Sequence, residues 1–227
     1  MKMPRERKSL FERKENIEAP LKIYGLIMEG SQTEEDYFEG IILNKKKLGI
    51  KEKIKLHKIP KKPLIRGEND SHCSHMLKQA IEYKEKNDYE NEEVVFVLDR
   101  DQQNFKEDQY DEFLKICSEN GYNICMSNPT FELWLLMHFD MKLDSEYIKK
   151  IKENRKISRS NRAPRFLAAE VALKLERSHR KKNVPFEKVI NGVEQAIKNS
   201  QKFPDDLITL KNETGTTIGK FFEKLLK

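Results

Sequence analysis

The chain has 227 residues, with 44 Lys+Arg against 38 Asp+Glu and a formal charge of +6. That length suits one domain of ordinary size plus an extension. With 37% apolar and 36% charged residues, and no run approaching the roughly 18–20 apolar residues of a spanning helix, the composition argues against a membrane protein.

Residues 1–20 lack periodicity, end in Ala19-Pro20 and read as a flexible tail; Met1 to Glu15 has no apolar core, so it does not read as a secretory signal. Leu21 to Met28 is a short apolar strand candidate, followed by Glu29-Gly30-Ser31. Thr33 to Leu48 has helical spacing through Tyr37, Ile41 and Leu48. Lys53 to Ile59 alternates with period two, as a half-exposed strand does. Pro60, Pro63 and Gly67 mark a loop, and His75 to Lys86 returns to helical spacing. Glu93 to Leu98 is a continuous apolar run of the kind buried on both faces of a parallel sheet, and it stops at Asp99-Arg100-Asp101. A helix over Tyr110 to Glu119, ended by Gly121, leads to a fourth strand at Tyr122 to Met126. This alternation predicts an α/β fold with a mostly parallel sheet and right-handed crossovers. Beyond residue 140 the strand signal disappears, and helices are expected around Phe166 to Arg177 and Phe186 to Ala196. The division expected is a tail (1–20), an α/β core (21–140) and a basic helical extension packed on it (141–227).

Charge is unevenly spread. Residues 1–140 are net −4 and residues 141–227 net +10, with the whole excess in Lys149 to Lys182. A concentrated basic stretch suits a polyanion, because each neutralised phosphate releases a counterion; a solvated helix face is the plainer alternative. Arg155, Arg159, Arg162 and Arg165 have a spacing that places several guanidiniums near one helical face, although Pro164 can interrupt a helix there. They are the candidate phosphate contacts.

Asp99 and Asp101 stand two apart at a strand end, so in extended backbone both side chains point one way. Two carboxylates about 6 Å apart repel by roughly 3 kcal/mol at an effective dielectric near 20. A shared proton, Arg100 or a divalent cation such as Mg²⁺ would offset this. Glu29, brought alongside by the sheet, is a third ligand or a general base orienting water. Helix capping by the two aspartates is the alternative. Ser127 to Phe139 (SNPTFELWLLMHF) is the other unusual stretch. Asn128-Pro129 reads as a helix cap and first position, and the following helix is apolar on nearly every face. Glu132 near its start is a capping residue or a further member of the acidic site. His138 lies a third of a turn off that face and reads as a satisfied structural histidine.

Three motifs, Leu26 to Glu34 (LIMEGSQTE), Val97 to Asp101 (VLDRD) and Ser127 to Phe139, together resemble the RloB family, prokaryotic proteins found with restriction and phage-resistance loci. The resemblance is close over about residues 20–140 and looser beyond; the closing Asn212 to Thr217 matches only loosely. It implies a Toprim-like core, in which Glu29 is the catalytic Glu, Asp99 and Asp101 hold Mg²⁺ (or Mn²⁺) and Gly30 serves the turn after the Glu. Glu132 belongs to the family's own motif, and is carried over as a second catalytic candidate.

Other signals are rejected. Gly215 to Lys220 (GTTIGK) lacks the spacing and the Ser/Thr of a phosphate loop. His72-Cys73-Ser74-His75 has no second ligand pair for zinc. His57 and His179 sit among basic residues and read as surface positions. An odd number of cysteines suits a reducing compartment, and the expected location is cytoplasmic. The leading expectation is an Mg²⁺-dependent nuclease of anti-phage defence acting on DNA or RNA. The competing one is a non-catalytic Toprim-like adaptor or sensor, binding nucleic acid or a neighbouring ATPase. Nucleotidyl transfer ranks third.

Overall fold

The computed structural model describes residues 22–30, 32–60, 72–87, 91–100, 102, 105–178 and 183–226. Four parallel strands, β1 (Lys22–Met28), β2 (Ile54–Lys58), β3 (Glu92–Asp99) and β4 (Asn123–Asn128), lie in the order β2-β1-β3-β4. Helices α1 (Thr33–Leu43), α2 (His72–Lys86) and α3 (Glu107–Glu119) connect them. The first crossover runs one way along the sheet and the next two run the other way. With right-handed crossovers that order puts α1 on one face and α2 and α3 on the other.

The side chains follow the same division. Tyr24, Leu26, Val95, Val97 and Cys125 join Tyr37, Phe38 and Ile41 of α1 in one cluster, whereas Ile27, Val94, Phe96, Leu98 and Met126 pack on Met76, Ala80 and Phe113 of α2 and α3. Alternate residues of each strand thus serve opposite cores, which is why the strands are apolar runs rather than alternating ones. The α1 face is then closed by α4 (Glu132–Leu136), α5 (Ser145–Glu153), α6 (Phe166–Lys174), α7 (Val193–Ser200) and a C-terminal helix reached through α8 (Leu207–Leu210), namely α9 (Ile218–Leu226). Residues on both sides of position 140 fill this one cluster. Leu133 to Met137 are fully buried, as their uniform apolarity predicts. Tyr37 is the hub: its ring meets Phe131 at 5.5 Å, Phe186 at 5.8 Å and Phe222 at 6.1 Å, all edge-on. Such pairs add about 0.5–1.5 kcal/mol each to the burial itself.

The structure corrects several expectations. Strand structure does not end near residue 140, because β5 (Gly215–Thr216) pairs antiparallel with β4. Two residues carry no periodicity, and the strand is anchored instead by Thr217, whose hydroxyl donates to the Ile124 carbonyl (2.8 Å) and accepts from the Met126 N–H (2.9 Å). Asn128 is no helix cap: it ends β4, its amide donates to the Leu210 carbonyl at 2.9 Å, and α4 starts only at Glu132. Arg155, Arg159, Arg162 and Arg165 share no helical face. Asn154 ends α5 in a left-handed conformation, and residues 155–165 double back as a loop closed by the Lys156–Arg165 bridge. The first helix stops at Leu43 rather than Leu48, and the segment 186–196 splits into two 3₁₀ turns before α7. His57 is not a free surface residue, since its Nε2 lies 2.5 Å from the Oε1 of buried Glu92. The tail 1–20, the loop around Pro63 and Gly67, Asp101 and His179 lie outside the described residues. No helix among the described residues is long and apolar enough to cross a membrane.

His138 is structural. Its Nδ1 sits 2.9 Å from the Trp134 carbonyl, which can only accept, so Nδ1 carries the proton and Nε2 accepts from the Tyr37 hydroxyl at 2.9 Å. Burial lowers its pKa from 6.5 to about 4. The neutral ring therefore contributes stability that is complete above 6.5 and is lost as pH falls towards about 4. Tyr37→Phe leaves Nε2 buried without a donor and should cost about 1–3 kcal/mol in denaturant unfolding. His138→Gln should flatten the decline of stability on mild acidification; identical slopes in the variant and the wild type would show that this ring does not titrate with folding.

Candidate acidic site at the strand ends

β1 and β3 are parallel neighbours, and the crossovers reverse direction between them. In open α/β sheets this is where ligands gather, at the carboxyl ends. The Glu29 N–H extends the ladder to the Val97 carbonyl (2.8 Å), and its Oε2 accepts from the Asp99 N–H (3.1 Å). Asp99 alternates with Val95 and Val97, so its side chain leaves β3 on the α1 and α4 face. There the Phe131 N–H donates to its carboxylate, and Glu132 opens α4 beside it. Glu34, in the first turn of α1, is buried against Gly30, where an added Cβ would lie 1.8 Å from Glu34 Oε2. A side chain at Gly30 would displace the Glu34 carboxylate, and no left-handed backbone calls for glycine there. The structure brings together Glu29, Asp99 and Glu132 from the sequence reading and adds Glu34. It does not bring Arg100 to them: that side chain is buried on the other side, donating to the Lys211 (3.1 Å) and Phe105 (2.5 Å) carbonyls and lying over the Tyr110 ring.

The electrostatics centre on Asp99. Burial, then Glu34, Glu132 and Glu29 in that order, hold its pKa well above the usual carboxylate range. Its Oδ1 is inaccessible and has no hydrogen-bond partner among the described residues. Such an atom costs free energy unless something pairs with it. Arg177 is half-buried near Glu132 and Asp36; burial is the main influence on it, and its Nε lacks an acceptor among the described residues. Neither Glu34 nor Arg177 was singled out from the sequence. Glu34 has a legible signal, a carboxylate in the first turn of the helix that follows the strand-end Glu29; Arg177 has none, being one arginine within a basic run.

The residues fit a hard divalent cation of limited protein coordination. Among the described residues no three His, Cys, Asp or Glu converge closely enough to complete a metal shell. Mg²⁺ asks for less, taking one or two carboxylates and filling the rest with water and phosphate oxygens. Asp99, with its orphaned Oδ1 and surplus negative surroundings, suits the first of these, and Glu29 or Glu132 the second. No other chemistry competes nearby. The thiols of Cys73 and Cys117 are buried and pushed up to about 12, so neither is a nucleophile. Gly219 of the GTTIGK segment is pressed against Ser200 inside α9, where no phosphate can enter.

Beside the acidic group lies a cavity of about 370 Å³, lined in part by Asn128, Thr130, Lys152, Arg165 and Asn212. The loop 155–165 runs from its edge. Arg155 is engaged with Glu153 (3.3 Å), whereas Arg159 and Arg162 are exposed on the turn.

Folding raises the pKa of Asp99, so the folded chain holds this proton more tightly than the unfolded one. That contribution is complete below about 3.8 and is lost as pH rises through the raised value. Asp99→Asn should therefore unfold at a higher temperature than wild type at neutral pH in chelator, with the difference vanishing in acid. Thermal scans at both pH values check this; a variant less stable than wild type at neutral pH would contradict the unpaired-charge account.

No curated protein and no solved structure matches the chain significantly. A family model described as RloB-like protein matches residues 24–225, a span running from β1 into α9 and holding every carboxylate of the site. The chain therefore belongs to the RloB-like protein family.

Proposed function

We propose that the protein is a metal-dependent nuclease with a Toprim-like core, cleaving DNA or RNA in prokaryotic anti-phage defence. The observation that carries this is Asp99: a carboxylate with a buried oxygen that has no partner among the described residues, near Glu29, Glu34 and Glu132 at the reversal point of the sheet. A structural role alone leaves that oxygen without a hydrogen-bond partner among the described residues. Mg²⁺ or Mn²⁺ bound there would supply positive charge to a phosphate and acidify a water. Asp99 holds the ion, with Asp101 two residues on as the second aspartate of the motif.

Glu29 orients or deprotonates the attacking water, its Oε2 being fixed at the strand end by the Asp99 N–H. Glu132 keeps the ligand side chains in place and balances Arg177. The exposed arginines of the loop, Arg159 and Arg162 with Arg165 at its base, grip the backbone. Phosphate contacts of this kind carry no sequence information and weaken steeply with salt.

The second reading is the non-catalytic adaptor, binding nucleic acid or a neighbouring ATPase. One observation favours it: the Glu29 carboxylate already serves as an acceptor within the sheet edge.

Cleavage of tRNA, structured RNA, and single-stranded and duplex DNA with Mg²⁺, Mn²⁺ or chelator separates the two. Metal-dependent cleavage is expected, abolished by Asp99→Ala and reduced about 10²–10⁴-fold by Glu29→Gln, with binding retained in both variants. Absence of metal-dependent turnover, with and without the neighbouring ATPase, together with unchanged binding, supports the adaptor. Arg159→Glu should weaken binding to every sequence alike and lower the salt slope by about one unit or more; a sequence-selective loss would contradict a backbone contact.

A further inference from the structure

The cavity beside the acidic group is walled by three segments distant in sequence. These are the end of β4 with Pro129 and Thr130, the last turn of α5 with Lys152 and Asn154, and Asn212 to Thr214 leading into β5. Arg165 completes it from the base of the basic loop, with an Nη1 that reaches the Asn154 carbonyl at 3.4 Å. Three cations (Arg100, Lys152, Arg165) face one carboxylate, Glu213, so the cavity selects an anion. Arg100 lends charge only, because its guanidinium is committed to backbone carbonyls and an aromatic ring. Lys152 and Arg165 are exposed and make no ion pair among the described residues, which leaves them to bind directly.

Size and lining narrow the ligand further. About 370 Å³ is at the small end of ligand cavities, room for one nucleotide unit and not for a duplex. The wall carries the carboxamides of Gln102, Asn128, Asn154 and Asn212 and no aromatic ring; Asn128 and Asn154 are already bonded to the Leu210 carbonyl and the Leu167 N–H, which leaves Gln102 and Asn212 to meet a ligand. Carboxamides pair with base edges, whereas a stacking platform for consecutive bases needs rings. The position is also specific. Thr130 lines the cavity and the next residue, Phe131, donates its N–H to Asp99, so one residue links the cavity wall to the acidic carboxylate, although Glu29, Glu34, Asp99 and Glu132 do not line the cavity themselves.

We propose that this cavity binds a single nucleoside phosphate, with its phosphate between Lys152 and Arg165, and that a substrate strand presents one unpaired nucleotide there when it reaches Asp99. The second clause rests on the nuclease reading; the first does not. The ligand can come from two sources, a free nucleotide or the phosphorylated end of a strand, with the same contacts.

The test is calorimetric titration of the full chain in chelator, so that no turnover occurs. The probes are AMP, a 5′-phosphorylated tetranucleotide, its 5′-hydroxyl form and inorganic phosphate. AMP and the phosphorylated strand are expected to bind, with affinity falling at least tenfold in Lys152→Glu and in Arg165→Glu. Lys47→Glu, the same charge change on the turn before the amino end of β2, should have less than a twofold effect. Preference for the phosphorylated strand over AMP identifies a strand end as the source, and the reverse identifies a free nucleotide. The proposal is overturned if the cavity variants behave like Lys47→Glu while melting normally, or if phosphate alone binds as well as AMP. Asp99→Ala separates the two ideas: binding kept with cleavage lost supports both. Cavity variants without effect, alongside metal-dependent cleavage, remove only the cavity proposal.

Discussion

The parallel pairing of β1 with β3 is the constraint on which the site depends. Six residue pairs, from Ile23 with Glu92 to Met28 with Val97, hold the two strands in register, so their ends emerge side by side. That register places the Glu29 carboxylate on the Asp99 amide and sends the Asp99 side chain towards α1 and α4. A slip of one residue would turn Asp99 onto the α2 face and bury a carboxylate among Phe105 and Phe113. The register is protected by the core, because every alternate residue of β3 belongs to a different apolar cluster.

The wall built by α4 is the second constraint on the site. Leu133 to Leu136 of this short helix are fully buried, and Trp134 packs on Tyr37 and Phe222, which fixes where its start lies. That position matters because Phe131 and Glu132, at that start, impose opposite influences on Asp99, one hydrogen bond favouring the charged carboxylate and one like charge opposing it. Desolvation and the three glutamates win, and the pKa is raised. The fold thus holds Asp99 at a cost in stability, with one oxygen lacking a hydrogen-bond partner among the described residues, an arrangement common at functional sites. The same start of α4 carries Thr130 into the neighbouring cavity, coupling the basic and acidic features through adjacent residues.

Much of the fold was legible in the chain. The four parallel strands announce themselves as short apolar runs; Glu29 and Asp99 are visible because each is a charged residue directly after such a run, and Glu132 because it opens an otherwise apolar helix. What misled was local signal without tertiary support. Asn128-Pro129 has the composition of a cap, but Asn128 pairs with Leu210 and Gly215 across the sheet edge, so it stays in β4. The arginine spacing over 155–165 matches a helix, but Asn154 takes a left-handed conformation and its side chain accepts from the Leu167 N–H (3.0 Å), turning the chain back.

The sequence by itself determined the α/β class, the family and the acidic residues at the strand ends, because these follow from periodicity and from contiguous motifs. Only the tertiary structure decided what surrounds them. It brought Glu34 and Arg177 to the acidic group, turned Arg100 away from it, and assembled a cavity from positions 128–130, 152–165 and 212–214. Those assignments depend on crossover direction and on packing between segments far apart in the chain, and no local pattern of residues encodes either.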